Sequence, residues 1–294
     1  MVEVMNETSS KCILKLKNIR KEYENFVLDN VNFELKEGSI TGFIGCNGAG
    51  KSTTLNLIMN LIKPTNGEIY YYDKLINDNS KFDIGYMGET QGIYPDLKLK
   101  ELSKFVKRTY KDNWNNERYD LFINKIFKLD ENRKIKELST GMRMKFFISL
   151  TLAHNPKLLI LDEPTTGLDP SARIEFLDIL KDINKKYNTT IIISSHIIED
   201  VERIADDVIF IHKGKIIIKE KKESLMKDYF KINLEDMDKS DEELVEKKGI
   251  KFDKCYVIKS SYIKNLDKNK YESLSITDFF KVVKSEEFDY DIAN

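Results

Sequence analysis

A glycine-rich stretch over residues 45–53, GCNGAGKST, constrains this chain more than any other feature. The residues that match the phosphate-loop pattern are Gly45, Gly50, Lys51 and Ser52. A short apolar run over residues 39–44 precedes the stretch and indicates a buried strand. After it, apolar residues recur at helical spacing until Pro64 ends the pattern. The glycines are therefore predicted to lie where a strand turns into a helix.

This arrangement makes a concave donor site for phosphate oxygens, because the backbone N–H groups of the loop and the helix N-terminus converge there. Lys51 can reach the β- and γ-phosphates, and the Ser52 hydroxyl can ligate magnesium. Side chains in place of the loop glycines would block close approach of the backbone. The alternative is a glycine-rich turn that binds nothing, which the strand–loop–helix context disfavours. The predicted nucleotide-binding residues here are Gly45, Cys46, Asn47, Gly48, Ala49, Gly50, Lys51, Ser52 and Thr53.

The amino-acid composition indicates which classes of protein this chain could belong to. The chain has 294 residues, of which 41% are hydrophobic and 33% charged, which is typical of a soluble globular protein. Its net charge of -1 disfavours a nucleic-acid partner. Three unclustered cysteines indicate a reducing compartment, with neither a disulfide framework nor zinc-site spacing. No apolar run is long enough to span a bilayer and no signal peptide is expected, so work at a membrane would require a partner.

The order of sequence patterns predicts an α/β fold. Alternating apolar residues over 12–44 predict antiparallel strands, and the spacing over 97–129 predicts helices. Continuous apolar runs at 157–161 and 190–194 predict strands of a parallel sheet that is covered on both faces. A final amphipathic helix is predicted at 275–283. The predicted divisions are a flexible tail over 1–11, a main domain over 12–222 with a helical subdomain at about 97–156, and a small α+β C-terminal accessory domain over 223–294.

Acidic residues end one of the two predicted parallel strands. Asp162 at the strand's carboxyl end can hold a magnesium ion, and Glu163 can polarise a water for attack on a γ-phosphate. The alternative is an acidic strand end with no catalytic function. His196 follows the other strand at the same predicted sheet edge, where ligands bind in open α/β folds. A lone histidine is more often structural, and His154 and His212 are interpreted in that way.

Two further side chains have both a functional and a structural interpretation. Tyr23 lies in a predicted turn upstream of the phosphate loop and could stack on adenine, whereas a half-exposed turn tyrosine is the simpler interpretation. Cys46 lies inside the loop, where a small side chain is tolerated at a variable position. We nevertheless expect a thiol alkylator at Cys46 to block ATP binding by its bulk.

Taken in order, these motifs resemble the nucleotide-binding subunit of ATP-binding cassette (ABC) transporters. The ordered set is Tyr23, the phosphate loop 45–52, the loop 86–96, the segment 138–142 (LSTGM), the strand end 158–163, the segment 166–169 (TGLD) and His196. The resemblance covers roughly residues 12 to 222. It implies a P-loop NTPase core of the ABC ATPase type, with an antiparallel β subdomain and a helical subdomain. It also favours the functional interpretations of Tyr23 and His196.

The resemblance implies a function for each matched residue. Tyr23 would stack on adenine, Ser52 and Asp162 would hold magnesium, Glu163 would act as general base, and His196 would contact the γ-phosphate. The implied catalytic residues are Glu163, His196 and Lys51. ATP and magnesium are the implied cofactors.

The resemblance also implies partners. Ser139 and Gly141 belong to the signature loop, which contacts the ATP of a second cassette, and Asp169 lies in the loop that couples the two sites. One phosphate loop per chain implies an ATP-sandwich dimer with a second copy or a paralogous cassette. The other implied partner is an integral membrane permease, which would place the chain in the cytoplasm, on the inner face of the membrane. No nucleic acid is expected.

Two departures from the family pattern stand out. The signature has Thr140 and Met142 where the family has glycine and glutamine, although it keeps the serine and one glycine. Glu89 stands where the family has a glutamine that approaches magnesium and nucleotide, and its carboxylate could still reach the metal or a water. Glutamate there, followed by Tyr-Pro-Asp-Leu at 94–97, resembles cassettes that pair with separate six-helix permeases in bacterial exporters. Such exporters serve drug, peptide or antibiotic resistance and envelope stress responses.

The predicted function is therefore an ATP-binding and ATP-hydrolysing transporter subunit that energises a separate permease, in the manner of an exporter. Two alternatives stay open at this point. One is a soluble ABC-type ATPase that acts on ribosomes or DNA, and the other is an ATP-binding regulatory protein without turnover. The C-terminal residues could be regulatory, could brace a dimer, or could be a mere extension.

Overall fold

The computed structural model describes residues 11–88, 95–233, 245, 249–252, 255–262, 272–273 and 275–284. The described strands, in chain order, are β1 (Cys12–Tyr23), β2 (Phe26–Lys36), β3 (Ile40–Ile44), β4 (Asn66–Tyr71), β5 (Lys74–Leu75), β6 (Ile84–Met87), β7 (Leu158–Asp162), β8 (Thr190–Ser195), β9 (Asp207–His212), β10 (Lys215–Lys221), β11 (Tyr229–Asn233), β12 (Ile250–Phe252), β13 (Cys255–Lys259) and β14 (Glu272–Ser273). The α-helices are α1 (Lys51–Ile58), α2 (Leu99–Tyr110), α3 (Asn116–Asp120), α4 (Thr140–Leu152), α5 (Pro170–Tyr187), α6 (Ile198–Ile204), α7 (Lys222–Asp228) and α8 (Ile276–Lys284).

A six-stranded sheet in the order β10-β9-β3-β8-β7-β6 forms the centre of the fold. Its strands pair in parallel except for β10, which returns antiparallel to β9. Every residue of β3 and β8 is buried, as expected for strands covered on both faces. Because β3, β8 and β7 are neighbours, their carboxyl ends meet at one edge of the sheet.

An antiparallel sheet in the order β2-β1-β4-β5 packs against the central sheet. The alternation of apolar residues on β1 and β2 directs one face of this sheet into the core. Phe33 of β2 and Phe43 of β3, both fully buried, join the two sheets with ring centroids 5.9 Å apart. The predicted α/β core with an antiparallel β subdomain is confirmed.

The helical subdomain lies between β6 and β7 in the chain. The predicted helical pattern over residues 97–129 is broken where Lys111 and Lys128 take positive φ angles of 48° and 52°. Between these breaks, α3 leads into a π-helical segment, Leu121–Ile126. Buried side chains from α2, this segment, α4 and α5 form one hydrophobic cluster with β7. The subdomain is therefore packed directly onto the central sheet.

The described strands of the C-terminal part form a third sheet, in the order β12-β13-β11-β14, and the amphipathic helix α8 follows them in the chain. Ile276 and Phe279 of α8 are fully buried in a cluster that also contains Ile44 of β3 and Phe210 of β9. The rings of Phe210 and Phe279 lie 5.0 Å apart. The C-terminal unit therefore shares a hydrophobic core with the central sheet. Among the described residues, no helix has the length and apolar character needed to cross a membrane.

Candidate active site

The phosphate loop connects the end of β3 to the start of α1, as the sequence predicts. Gly50 precedes the first helical residue with a φ of 111°, and no described side chain caps the helix there. The first-turn N–H groups of α1 therefore remain available as donors to an anion. Asn47, Gly48 and Ser52 are exposed, so the rim of the loop is open to solvent.

The loop glycines serve different purposes. An added Cβ at Gly45 would lie 2.5 Å from the carbonyl oxygen of Ile211, so packing against β9 requires glycine there. At Gly50 the positive φ disfavours any side chain. Gly48 also has a positive φ, of 79°, but an added Cβ would meet nothing within 4 Å. Close approach of a ligand therefore remains the predicted reason for glycine at Gly48. Packing inside the protein is the reason for glycine at Gly45.

Lys51 brings a buried positive charge to the loop. Its side chain is only 5% exposed. The amino group donates to the carbonyl oxygens of Gly45 at 2.7 Å and Cys46 at 3.2 Å. It also lies 3.1 Å from Glu163 Oε1, so the predicted phosphate-binding lysine and the predicted general base form an ion pair.

The end of β7 is held to the neighbouring strand β8 by Ser194. Its hydroxyl donates to Asp162 Oδ1 at 2.5 Å and accepts a hydrogen bond from the backbone N–H of Glu163 at 2.9 Å. Sequence reasoning missed Ser194, although a polar residue at the end of an apolar strand is a signal that could have found it. These bonds fix the direction in which the two acidic side chains leave the strand.

Glu163 stands in a left-handed backbone conformation with a φ of 49°. This conformation is uncommon for a residue with a side chain, and it often occurs at functional sites. Glu163 Oε2 lies 2.5 Å from His196 Nδ1. Burial raises the pKa of Glu163, but the hydrogen bonds and charges of Lys51 and His196 lower it by a larger amount. The net pKa is therefore below its usual value. The carboxylate is therefore ionised at neutral pH, which is the form in which a general base acts.

The structure thus brings together Lys51, Asp162, Glu163 and His196 at the carboxyl ends of neighbouring strands. Among the other predicted residues, Tyr23, Ser139 and Gly141 make no hydrogen bond or ion pair with this cluster in the described part of the chain. Tyr23 ends β1 with 47% of its surface exposed, as a ring available for stacking would be. Glu89 lies outside the described residues, and its predicted approach to metal and nucleotide stays a prediction.

The signature segment forms the N-terminus of α4. Ser139 is the N-cap, as predicted, and its side chain accepts a hydrogen bond from Met142 N at 3.2 Å. An added Cβ at Gly141 would lie 3.6 Å from Ala172 Cβ, an ordinary contact distance. Asp169 caps α5 by accepting from Ala172 N at 3.0 Å. The signature segment therefore lies next to the start of α5.

The remaining histidines agree with the structural interpretation. His154 is 4% exposed and stacks on Tyr110 with ring centroids 4.0 Å apart. Burial lowers its pKa to about 4, so the ring is neutral at physiological pH. His212 ends β9, and burial lowers its pKa also.

The donor chemistry of the site fits magnesium bound together with a nucleotide. Ser52 offers a hydroxyl on the first turn of α1, and Asp162 offers a carboxylate at the end of β7. Within the described ranges, no group of three or more acidic, histidine or cysteine side chains could form a metal cage. Mg²⁺ does not need one, because it is commonly held by one or two protein oxygens together with phosphate oxygens and water.

We expect alkylation of Cys46 to weaken ATP binding by about tenfold or more, which is ~1.4 kcal/mol or more. Cys46 is partly exposed and its carbonyl group accepts from Lys51, so a bulky thiol adduct would stand inside the loop. Cys255 is buried, and burial raises the pKa of the Cys12 thiol, which slows its reaction. The measurement is binding of a fluorescent ATP analogue after N-ethylmaleimide treatment, with Cys46→Ala as the resistant control. Unchanged binding by the fully alkylated protein would contradict the prediction.

Comparison with known proteins agrees with this geometry. The model of a family described as ABC transporter matches residues 28–166. The bacitracin transport ATP-binding protein BcrA of Bacillus licheniformis is 36% identical over 214 residues, which cover 70% of this chain and 68% of that protein. The lantibiotic transport ATP-binding protein SrtF of Streptococcus pyogenes is 36% identical over 208 residues, which cover 70% of this chain and 90% of that protein. A solved dimeric ATP-binding cassette in a post-hydrolysis state, bound to ADP and Pi, has a TM-score of 0.62 at 28% identity, covering 71% of this chain and 98% of that one.

Proposed function

The chain belongs to the ABC transporter family as an ATP-binding, ATP-hydrolysing subunit, and on that premise we propose that it energises export of a peptide or antibiotic through a separate membrane permease. The observation that supports ATP-driven work most directly is the cluster of Lys51, Glu163 and His196 beside the phosphate loop. The named cargoes of the two relatives, bacitracin and a lantibiotic, support the cargo class. We further propose that the chain is held on the inner face of the membrane by that permease.

Each residue of the site would contribute one step to hydrolysis. The loop amides and Lys51 would bind the β- and γ-phosphates, and phosphate would draw Lys51 away from Glu163. Ser52 and Asp162 would hold magnesium, which neutralises phosphate charge when bound. Glu163 would accept the proton of the attacking water, and His196 would orient Glu163 and contact the γ-phosphate.

A second cassette would complete the site. Ser139 and Gly141 lie at a helix N-terminus outside the chain's own catalytic cluster, where a phosphate of a partner's nucleotide could bind. The dimeric state of the solved relative supports this arrangement. The partner would be a second copy of this chain or a paralogous cassette.

The same proposal divides the chain into functional parts. Residues 12–222 would form the ATPase domain, with the helical subdomain at about 97–156, and residues 223–294 would form an accessory domain. The start of α7 at Lys222 supports this boundary, although the two parts share a hydrophobic core through α8.

The dimer is tested by Gly141→Ala. In the wild type, we expect ATPase activity to rise faster than linearly with protein concentration, because two chains form each site. In Gly141→Ala, we expect turnover to fall by about tenfold or more, since a methyl group at the helix N-terminus would obstruct close approach of a phosphate. The melting temperature should stay unchanged, because the new Cβ meets only Ala172 at 3.6 Å. Linear wild-type activity, or full activity of a folded Gly141→Ala, would argue against the sandwich dimer.

The permease is tested by co-expression. Affinity purification of the chain from membranes should recover a multi-helix permease whose presence raises ATP turnover. Recovery of ribosomes or DNA instead would favour the soluble ABC-type ATPase, and ATP binding with no turnover under either condition would favour a regulatory protein.

A further inference from the structure

Asp200 is a fully buried carboxylate on α6, four residues after His196. Its Oδ2 accepts a hydrogen bond from Thr165 Oγ1 at 2.5 Å, and its Oδ1 lies 2.6 Å from Arg173 Nε. Thr165 follows Glu163 by two residues, and Arg173 lies in the first turn of α5. We propose that Asp200 is a positioning residue that holds the base loop, defined as residues 163–169, against α6 and thereby fixes Glu163 relative to His196. This inference rests on the proposed functions of those two residues.

Two hydrogen bonds join the first part of the base loop to neighbouring elements, in addition to the side-chain contacts of Glu163 with Lys51 and His196. At its start, the backbone N–H of Glu163 donates to Ser194 on the neighbouring strand at 2.9 Å. Further along, the Thr165 hydroxyl donates to Asp200. The first tie holds the backbone where β7 ends, but it leaves the course of the rest of the loop open. The hydrogen bond between Thr165 and Asp200 therefore attaches the middle of the loop to α6, the helix that follows His196.

The conformation of Glu163 explains why a second tie is needed. A glutamate with a φ of 49° is in a sparsely populated conformation, which persists where surrounding contacts over-determine it. Two hydrogen bonds within the loop, from Thr166 N to Glu163 O and from Leu168 N to Thr165 O, are both 3.2 Å long. Those local bonds shape the turn, whereas Thr165 and Asp200 attach it to the protein.

The contacts of Asp200 with Thr165 and Arg173 depend on one another. Burial raises the pKa of Asp200 by more than the hydrogen bond from Thr165 and the charge of Arg173 lower it, so the net pKa lies above its usual value. Removing one partner would leave a buried charge uncompensated, so the three groups favour one arrangement together. Because Arg173 N also donates to Asp169 O at 2.9 Å, α5 begins at the end of the same loop. Asp200 thus contacts both the base loop, at Thr165, and the helix that follows it, at Arg173.

A second ion pair between the same two helices offers a matched control. Arg203 of α6 and Asp178 of α5 lie 2.8 Å apart, and both are well exposed to solvent. This pair joins α5 to α6 without touching the base loop. Asp178→Asn therefore removes a carboxylate from the same helix–helix contact and leaves the position of Glu163 alone.

The first test compares steady-state ATP hydrolysis by the full chain and its Asp200→Asn variant. We expect kcat to fall by about tenfold to a hundredfold, because small displacements of a catalytic group have effects of that size. KM for ATP should change by less than about twofold, since the phosphate loop and Lys51 are untouched. Asp178→Asn should keep both constants. Thr165→Val, which replaces the hydroxyl with a methyl group of similar size, should also lower kcat. It covers the case in which Asp200→Asn does not fold.

The second test does not depend on turnover. Hydrogen exchange of the base-loop amides should be faster in Asp200→Asn and Thr165→Val than in the wild type and in Asp178→Asn. Equal exchange in the folded variants, together with an unchanged kcat, would overturn the proposal, as would an equal loss in Asp178→Asn. If Glu163→Gln kept full turnover while base-loop exchange still responded to Asp200→Asn, the assignment of the base would fail and the tie would stand.

Discussion

We expect Glu163→Gln to lower ATP turnover by about 10²–10⁴-fold, the range expected for loss of a general base, and to leave ATP binding intact. The carboxylate is the one group of the catalytic cluster that contacts both Lys51, at 3.1 Å, and His196, at 2.5 Å. Glutamine keeps the size and one acceptor oxygen, but it cannot take a proton from water. Because the phosphate loop is unchanged, nucleotide still binds, and the unhydrolysed ATP should hold two chains together.

The measurement combines turnover with size-exclusion chromatography in the presence of Mg-ATP. The control is Glu175→Gln, which removes a glutamate on α5 that pairs with Lys145 at the surface. It should hydrolyse ATP as the wild type does and should not accumulate as a dimer. Persistent turnover in Glu163→Gln would overturn the assignment of the base.

Phe279→Ala lowers the free energy of unfolding of the whole chain by about 3–5 kcal/mol, the usual range for removing a buried aromatic side chain. Phe279 of α8 is fully buried and packs against Phe210 of β9. Both belong to a cluster that also contains a residue of β3. The cavity would therefore open beside the strand that leads into the phosphate loop. We expect a lower urea midpoint for the entire cooperative transition.

Phe105→Ala is the matched control, because Phe105 lies on α2 with 67% of its surface exposed. Its truncation should change the free energy of unfolding by less than about 0.5 kcal/mol. Two separate unfolding transitions, with only the weaker one shifted by Phe279→Ala, would show instead that the C-terminal unit folds independently of the cassette.

The parts of the site that sequence reasoning located are those whose signal is local. Nine consecutive residues are enough to identify the phosphate loop, and Asp162-Glu163 directly follows an apolar strand. Parallel strands end at one edge, so the approach of Glu163 to His196 was within reach of topology alone. The helix start at Ser139 was likewise predictable from a single capping residue.

The parts that escaped depend on contacts between distant segments. Thr165 and Asp200 are 35 residues apart, and nothing in either segment indicates that they form a buried hydrogen bond. The left-handed backbone of Glu163 has no sequence signal, because glutamate rarely adopts it. The amphipathic pattern of α8 was visible, but its partner β9 was not, since a periodic apolar face does not specify what covers it.

The shared core has a consequence for synthesis on the ribosome. On one face of the central sheet, Ile44 and Phe210 share a cluster with α6 and also with Ile276 and Phe279, so part of their cover comes from the C-terminal residues. The strands of the candidate site are therefore translated well before this part of their apolar surface can be shielded, and such transiently exposed surface is prone to aggregation. A nascent chain paused before residue 276 would carry Lys51, Asp162, Glu163 and His196 and still expose that surface.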